Sequence, residues 1–562
     1  MRRGVSVVNK KVCSFPILFA LLALLIGTCA VVFPASAQAA PTSTGSITVS
    51  GTVASSYDAY QIFSANVVDG DSDAKIATDL AWASDAVRDA ALPVLHSAGM
   101  PKSQTTAQEA SEWLNADSHL TSALSAQLAR SLQSSDAESV ALNAGTAAEL
   151  PCGYWLIVAD DDAISQNEAG TAPIMALVGG SAVTVKPKAA TPKVAKHVLE
   201  DGTAAWQKAA DATVADDLYW RLSATVPAGL TAYDTYTVRF VDTMSAGLDS
   251  SKVVASVHVY VAAGTDGGFD AVSTGKDGRA GTDPAKGWTD ITAQCATKVA
   301  ADGTFTVRTG DLIAALGGVD AFTAGARVVA VYDAPLNSAC NHGIAKGNPN
   351  EVYLRYPRSP FADQSGDAGF TRTPSDDACA YTWDLALTKR GSDGDKPLAG
   401  AVLSIADDRG RTLAADGTWD AEGKATVTTG EDGRVTVSGV DSGKLEVREL
   451  KAPKGYTAFE GTRSVTVKAE GLDVDQVAAA KPKLTITAES PLRADSADGS
   501  TGSLEASLIN TPTGTPPSIT TGGFMPSTGD MAMYAAAAAA VAGAALIVVA
   551  LLVKRGGGSH KE

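Results

Sequence analysis

The chain has 562 residues, with 62 acidic against 45 basic side chains and a formal net charge of −17. No Lys/Arg block occurs outside the C-terminal tail, so nothing draws the protein to a nucleic-acid backbone, and the acidity reads as solubility. Six scattered histidines leave no cluster for a catalytic base, and zinc-site spacing, a P-loop and a nucleophile elbow are all missing.

In chain order, Arg2, Arg3, Lys10 and Lys11 precede an apolar run from Phe15 to Phe33, followed by small residues at Ala35-Ser36-Ala37 and Ala37-Gln38-Ala39. This is the layout of a secretory signal peptide over residues 1–39, with cleavage after Ala37 or Ala39. Cys29 raises a lipoprotein alternative, which Thr28 before it and the apolar residues after it fit poorly. With Cys13 and Cys29 in the leader, an exported chain keeps Cys152, Cys295, Cys340 and Cys379. Four are too few for a disulfide scaffold, and of the three possible connectivities Cys295 with Cys340 is the first to test.

Residues 41–512 are too many for one core and enough for several domains. Short alternating segments dominate: Ser46 to Val49, Thr235 to Val241, Lys252 to Val261, Arg327 to Val331, Ala401 to Ile405 and Lys444 to Arg448. Turns such as Asp201-Gly202 and Asp432-Gly433 bound them, which predicts a mostly β chain of tandem Ig-like sandwiches. Between Ala74 and Leu150, Ala, Leu, Gln and Glu replace β-branched residues across Ala107 to Leu114 and Leu120 to Leu132, predicting a helical insert in the first unit. Linker composition at Lys186 to Pro192, Tyr356 to Ala380 and Thr511 to Thr521 divides the chain into units at about 41–185, 192–360 and 381–512.

In the third unit, alternation from Trp383 places Lys389 on the face of Leu385 and Leu387, the face a sandwich buries. Glu449 likewise shares a face with Leu445 and Val447, and Asn510 with Leu508. Burying an isolated ammonium or carboxylate costs several kcal/mol, so the lysine pKa is expected to fall and the glutamate pKa to rise. A neutral amine can attack the Asn510 carboxamide while Glu449 polarises it and shuttles protons, releasing ammonia and leaving an isopeptide. The plain alternative is a sandwich in which Lys389 and Glu449 form a salt bridge. Leu398-Ala399-Gly400-Ala401 and Val447 to Tyr456, with Glu449, Ala452-Pro453 and Gly455-Tyr456, resemble the collagen-adhesin (Cna) B-type domain, from which Leu450 departs where Thr is usual.

The second unit repeats the pattern. Lys196 aligns with Val194 and Val198, Asp242 with Val238 and Phe240, and Asn350 with Val352 and Leu354, while the rival amine Lys193 has outward parity. With Leu222 to Pro227, these segments resemble the middle, isopeptide-forming domain of fimbrial shaft subunits. The resemblance implies that Lys196 is the amine, Asp242 the catalytic acid and Asn350 the acceptor. Upstream, Pro173 to Val178 and Val183 to Lys188 resemble the pilin motif. It implies that Lys188 is the nucleophile joined to a neighbouring subunit, although Lys186 stands where Tyr is usual and no Trp lies upstream.

At the C-terminus, Met525-Pro526-Ser527-Thr528-Gly529 is followed by an apolar run over 531–553 and by Lys554 and Arg555. That run is long enough for a transmembrane helix, with residues 554–562 as a cytoplasmic tail and 513–530 as stalk and sorting signal. The pentapeptide resembles the sorting signal that sortase cleaves between Thr and Gly, with Met525 in place of Leu.

Taken together, these segments resemble the sortase-assembled major pilins of Gram-positive bacteria, the first unit adding Gly51-Thr52-Val53, Tyr60 to Phe63 and Gly153 to Ile157. The resemblance implies a secreted, wall-anchored, non-enzymatic pilus subunit without cofactor or metal. Its partners would be sortase, identical subunits and peptidoglycan, with a host surface ligand as a further candidate and the membrane only before sorting. A wall-anchored adhesin that never polymerises is the alternative. A surface hydrolase would need a polar cluster in residues 41–185, where Asp160, Asp161 and Asp162 read as a turn.

Overall fold

The computed structural model describes residues 43–71, 74–116, 118–170, 172–188, 191–275 and 279–514. The leader, the pentapeptide Met525 to Gly529 and the apolar run 531–553 lie outside these residues. Among the described residues no helix is long and apolar enough to cross a membrane. The chain is mostly β, arranged as successive pairs of packed sheets.

In the first pair, Thr44–Val49 lies between Ala147–Pro151 and Val183–Val185. The second sheet runs Lys75–Trp82, Ser56–Asp69, Gly153–Ala159, Ile174–Val178, with Val140–Asn143 also paired to Ser56–Asp69. The predicted insert is helical at Asp85–Ser97, Ala107–Asn115 and Ser122–Gln133. Ser84, Thr106 and Thr121 cap these helices through their side-chain oxygens, which accept otherwise orphaned backbone N–H groups. The helices bury Leu95, Leu114, Leu128 and Leu132 against Ile62, Phe63 and Leu156 of the second sheet.

The middle pair consists of a sheet ordered Ala205–Gln207, Lys193–Glu200, Tyr219–Val226, Ala326–Asp333, His258–Ala263, Thr289–Asp290, facing a second ordered Ala209–Asp211, Asp376–Tyr381, Asn348–Pro357, Arg239–Met244, Thr304–Arg308, Ala296–Val299. Trp220, Phe240, Phe305, Tyr332 and Tyr356 fill the space between them. Three expectations need correction. Lys252 to Val261 is not one strand: the Asp249 side chain accepts from Ser251 N at 2.9 Å, starting a turn that leads into the helix Val253–Ser256 before the strand His258–Ala263. Thr235 to Val241 pairs only from Arg239, because Tyr236 N and Val238 N donate to the side chains of Asp311 and Thr309. Tyr356 to Ala380 is not a free linker. Phe370–Arg372 and Asp376–Tyr381 both pair with Asn348–Pro357, so the sheet continues to Tyr381. One of its acidic residues, Asp376, pairs with Lys208 and accepts from Lys196 N at 2.7 Å.

In the last pair, Trp383–Gly391 lies parallel to Ser503–Pro512, with Arg434–Val440 on its other side. The facing sheet runs through Val402–Ala406, Gly443–Lys451, Thr462–Glu470 and Lys483–Ala488. Gly433, at φ +71°, closes the turn into Arg434–Val440, where a Cβ would meet Lys389 O and Leu398 N at 2.8 Å. Only glycine fits that turn without displacing the strand at Lys389.

The four cysteines are free, so Cys295 and Cys340 are not bridged. Cys295 Sγ donates to Ile291 O at 3.3 Å, and Cys340 Sγ faces His342 Nε2 at 3.5 Å. Adjacent sheet pairs touch through polar contacts. Arg130 donates to Ala232 O and Pro360 O, and Gly170 N to Arg358 O. Farther along, Asp211 accepts from Trp383 Nε1 at 2.6 Å and from Ser442, while Asp216 pairs with Arg409 and Arg411.

Candidate functional site

Strand alternation sends all six candidate side chains inward. Lys196, Asp242, Asn350 and Lys389 are fully inaccessible, Asn510 is 2% exposed, and the Glu449 side chain is inaccessible as well. Lys193, the rival amine, is exposed. They form two clusters, one in each of the last two sheet pairs.

In the third unit the three groups meet directly. Lys389 Nζ donates to Asn510 Oδ1 and lies 3.1 Å from Glu449 Oε1, and Asn510 Nδ2 donates to the same Glu449 oxygen at 2.9 Å. Glu449 Oε2 accepts from Phe459 N at 3.1 Å, which orients the carboxyl. The Phe459 ring stands 5.9 Å from Lys389 Nζ. Lys389 and Asn510 are on adjacent parallel strands, with Lys389 opposite Leu508 and Asn510 two residues further on the same face. Glu449 reaches them from the facing sheet. Burial pulls the Lys389 amine down to about 8 even though Glu449 acts to raise it.

The middle unit differs in geometry. Lys196, on the first strand of its sheet pair, crosses the core to Asp242, whose Oδ2 accepts from its Nζ. Asp242 and Asn350 stand on neighbouring strands of the facing sheet, with Asp242 opposite Val352 and Met244 opposite Asn350. Burial draws the Lys196 amine down to about 8 against the pull of Asp242, and it raises the Asp242 carboxyl above the usual range against the pull of Lys196. Both groups are therefore moved toward their neutral forms. The rings of Trp220 and Tyr332 each lie 5.4 Å from Lys196 Nζ, so the amine is walled by aromatics. Lys208 Nζ donates to Lys196 O at 2.9 Å while paired with Asp376, which fixes the backbone beneath the amine.

One participant escaped the sequence reading. Tyr332 is fully buried; its hydroxyl accepts from Lys196 Nζ and from Asn350 Nδ2, each at 2.8 Å, and donates to Asp242 Oδ2 at 3.0 Å. The signal is parity: Val328, Ala330 and Tyr332 share the inward face, and the strand Ala326–Asp333 runs past Val331, where the alternating segment of the sequence ends. The outer oxygens of this cluster, Asp242 Oδ1 and Asn350 Oδ1, are buried without a protein partner. A proton on Asp242 would supply the donor that two such acceptors lack.

Lys188 is exposed, just beyond the strand Val183–Val185 and outside both clusters. Among the described residues no group of His, Cys, Asp and Glu is arranged to hold a metal ion.

Residues 384–481, which carry Lys389 and Glu449, match the family model described as SpaA, a prealbumin-like fold domain. Over 143 residues the chain is 30% identical to the trypsin-resistant surface T6 protein of Streptococcus pyogenes serotype M6, covering 24% of each. The chain thus spans about a quarter of the length of that curated relative. Among solved structures it is similar to the T6 backbone pilin of serotype M6 Streptococcus pyogenes, at 16% identity over 84% of this chain and 98% of that one, with a TM-score of 0.45. It is also similar to the full-length major pilin SpaD from Corynebacterium diphtheriae (15% identity, 84% and 98% coverage, TM-score 0.41) and to the full-length major pilin RrgB from Streptococcus pneumoniae (15%, 67% and 85%, TM-score 0.35).

Proposed function

We propose that this protein is a structural subunit of a covalently polymerised surface pilus, stiffened by two internal Lys–Asn isopeptides. The observation that carries the reading is that each of two sandwiches gathers a lysine, a carboxyl group and an asparagine carboxamide into one dry, hydrogen-bonded cluster. A salt bridge alone would give the buried asparagines no role, and an isolated buried ion pair gains little net stability after desolvation.

In the reaction, the neutral amine attacks Cγ of the asparagine, forming Nζ–Cγ and breaking Cγ–Nδ2. One proton passes from Nζ to the departing nitrogen, which leaves as ammonia. Glu449 touches both nitrogens and can carry that proton in the third unit, and Asp242 serves the Lys196–Asn350 pair. Each site turns over once on its own chain, so the protein is not an enzyme in the ordinary sense.

Outside these clusters, Thr528 of the pentapeptide Met525 to Gly529 is proposed to be handed by sortase to Lys188 of the next subunit, or to peptidoglycan at the base. The three units, export through the leader and wall anchoring belong to the same proposal. The exposure of Lys188 beside a strand end supports its part in it, and the surface location of the T6 relative supports the localisation.

The test has two arms. The intact mass of the secreted chain should fall short by two ammonia masses; no shortfall rejects the internal chemistry. On cells supplied with the cognate sortase, Lys188→Ala should abolish the high-mass ladder on denaturing gels. Retention of the ladder removes Lys188 from the polymer bond, and a single band from the wild type favours a monomeric anchored adhesin.

A further inference from the structure

The two clusters solve one problem with carboxyl groups of different length. Glu449 reaches amine and carboxamide with one oxygen, at 3.1 and 2.9 Å. Asp242 is one methylene shorter. Its Oδ2 contacts Lys196 Nζ, but the carboxamide nitrogen of Asn350 is hydrogen-bonded to the Tyr332 hydroxyl instead. Building on the isopeptide reading above, we propose that Tyr332 is a catalytic residue of the middle unit, whose hydroxyl relays the proton from the attacking amine to the departing nitrogen.

The hydroxyl touches every group that gains or loses the proton: Lys196 Nζ at 2.8 Å, Asn350 Nδ2 at 2.8 Å and Asp242 Oδ2 at 3.0 Å. As Nζ bonds to Cγ it becomes acidic and gives a proton to the Tyr332–Asp242 pair. The same pair delivers a proton to Nδ2, the Cγ–Nδ2 bond breaks and ammonia leaves. Tyr332 and Asp242 end as they began, so no further reactant is required. Phenolate need not form. Burial sets the hydroxyl far above its usual pKa, which suits a concerted relay in which the oxygen accepts one proton as it releases another. The ring also stacks edge-on against Phe305, with centroids 4.6 Å apart, which holds the hydroxyl between the two nitrogens. The third unit needs no such residue because its carboxyl already spans the gap.

The experiment follows ammonia loss over time in full chain made by cell-free translation in detergent, using intact mass and peptide mapping of the Lys196–Asn350 and Lys389–Asn510 links. In Tyr332→Phe the third unit should link at the wild-type rate while the middle unit slows by roughly 100-fold, the scale of a lost general acid–base group. A second variant carries fluorotyrosine at position 332, which keeps the ring and hydroxyl but makes the hydroxyl more acidic. It should change the rate of middle-unit linking, because the relay's proton affinity changes, and leave the rate of the third unit in place. Wild-type rates for both links in Tyr332→Phe, or an unchanged middle-unit rate with fluorotyrosine, overturn the relay while leaving the isopeptide reading intact. Absence of any ammonia loss in the wild type would instead remove that reading.

Discussion

Replacing Asn510 with Ala isolates the covalent contribution of the link proposed for the third unit, because it deletes the proposed acceptor and leaves Lys389 and Glu449 paired at 3.1 Å. Lys389 and Asn510 are 121 residues apart in the chain. If the isopeptide acts as any cross-link does, closing a loop of that size removes unfolded-state entropy equivalent to about 5 kcal/mol. The lost carboxamide hydrogen bonds add about 1–3 kcal/mol. For a unit of this size the combined loss should lower its melting transition by roughly 20–30 °C. Intact mass and scanning calorimetry on one preparation check both halves. Asn510→Ala should show a shortfall of a single ammonia mass and a separated low transition, with the other units unmoved. A retained double shortfall, or a transition within a few degrees of the wild type, refutes the reasoning.

The other outcomes follow from the same clusters. Lys196→Ala should remove only the middle unit's ammonia loss and Glu449→Gln only the third's; mapping of linked peptides separates the two, and cross-loss would mean the sites are not independent. In Asn510→Ala, Lys389 stays an amine with its folded pKa lowered to about 8 from 10.5. A depressed folded pKa means stability fully present above about 10.5 and lost as pH falls toward 8. The variant should therefore gain about 3 kcal/mol relative to the wild type, whose amide nitrogen does not titrate, between those pH values. Urea unfolding at several pH values measures this, and a constant difference counts against it. In single-molecule stretching, the wild-type third unit should resist full extension, whereas Asn510→Ala should release about 400 Å as its 121-residue loop opens.

What could be read from the sequence was whatever alternation governs. Period-two parity put Lys196, Asp242, Asn350, Lys389, Glu449 and Asn510 on buried faces and Lys193 outside, because in a sandwich the neighbour two residues away shares the face. Composition likewise located the helices of the first unit. Information held in side-chain contacts between distant segments could not be read this way. Asp376 lies in a stretch of linker composition, yet Lys208, at the bend between two strands, pairs with it, and Thr309 and Asp311 take backbone bonds that alternation assigned to a ladder. For Tyr332 the inward parity is readable, but the contacts that draw attention to it, Lys196, Asp242 and Asn350, come from three other strands.

The two clusters also place the proposed links differently with respect to load. In the third unit Lys389 and Asn510 sit on neighbouring strands at the two ends of the unit, so tension entering at Trp383 and leaving past Pro512 would pass through the proposed link and bypass the core. In the middle unit Lys196 is on the first strand, but the strand of Asn350 is followed by Phe370–Arg372 and Asp376–Tyr381. Residues 351–381 therefore lie between the proposed link and the next unit, and apart from the few residues before Lys196 they alone in the middle unit would remain extensible. This same segment grips the first unit: Arg358 Nη1 donates to Asp161 O at 3.0 Å, Thr371 Oγ1 accepts from Asn167 N at 3.3 Å, and Phe361 packs beside the helices of the insert. Stretching it must strip those contacts, so the junction between the first two units should yield before either linked core does. Pulling the wild-type chain from its ends should give an early extension of about 100 Å, the contour of roughly 30 residues, before any event in the third unit. A first event of several hundred ångströms would show that the load does not follow the links.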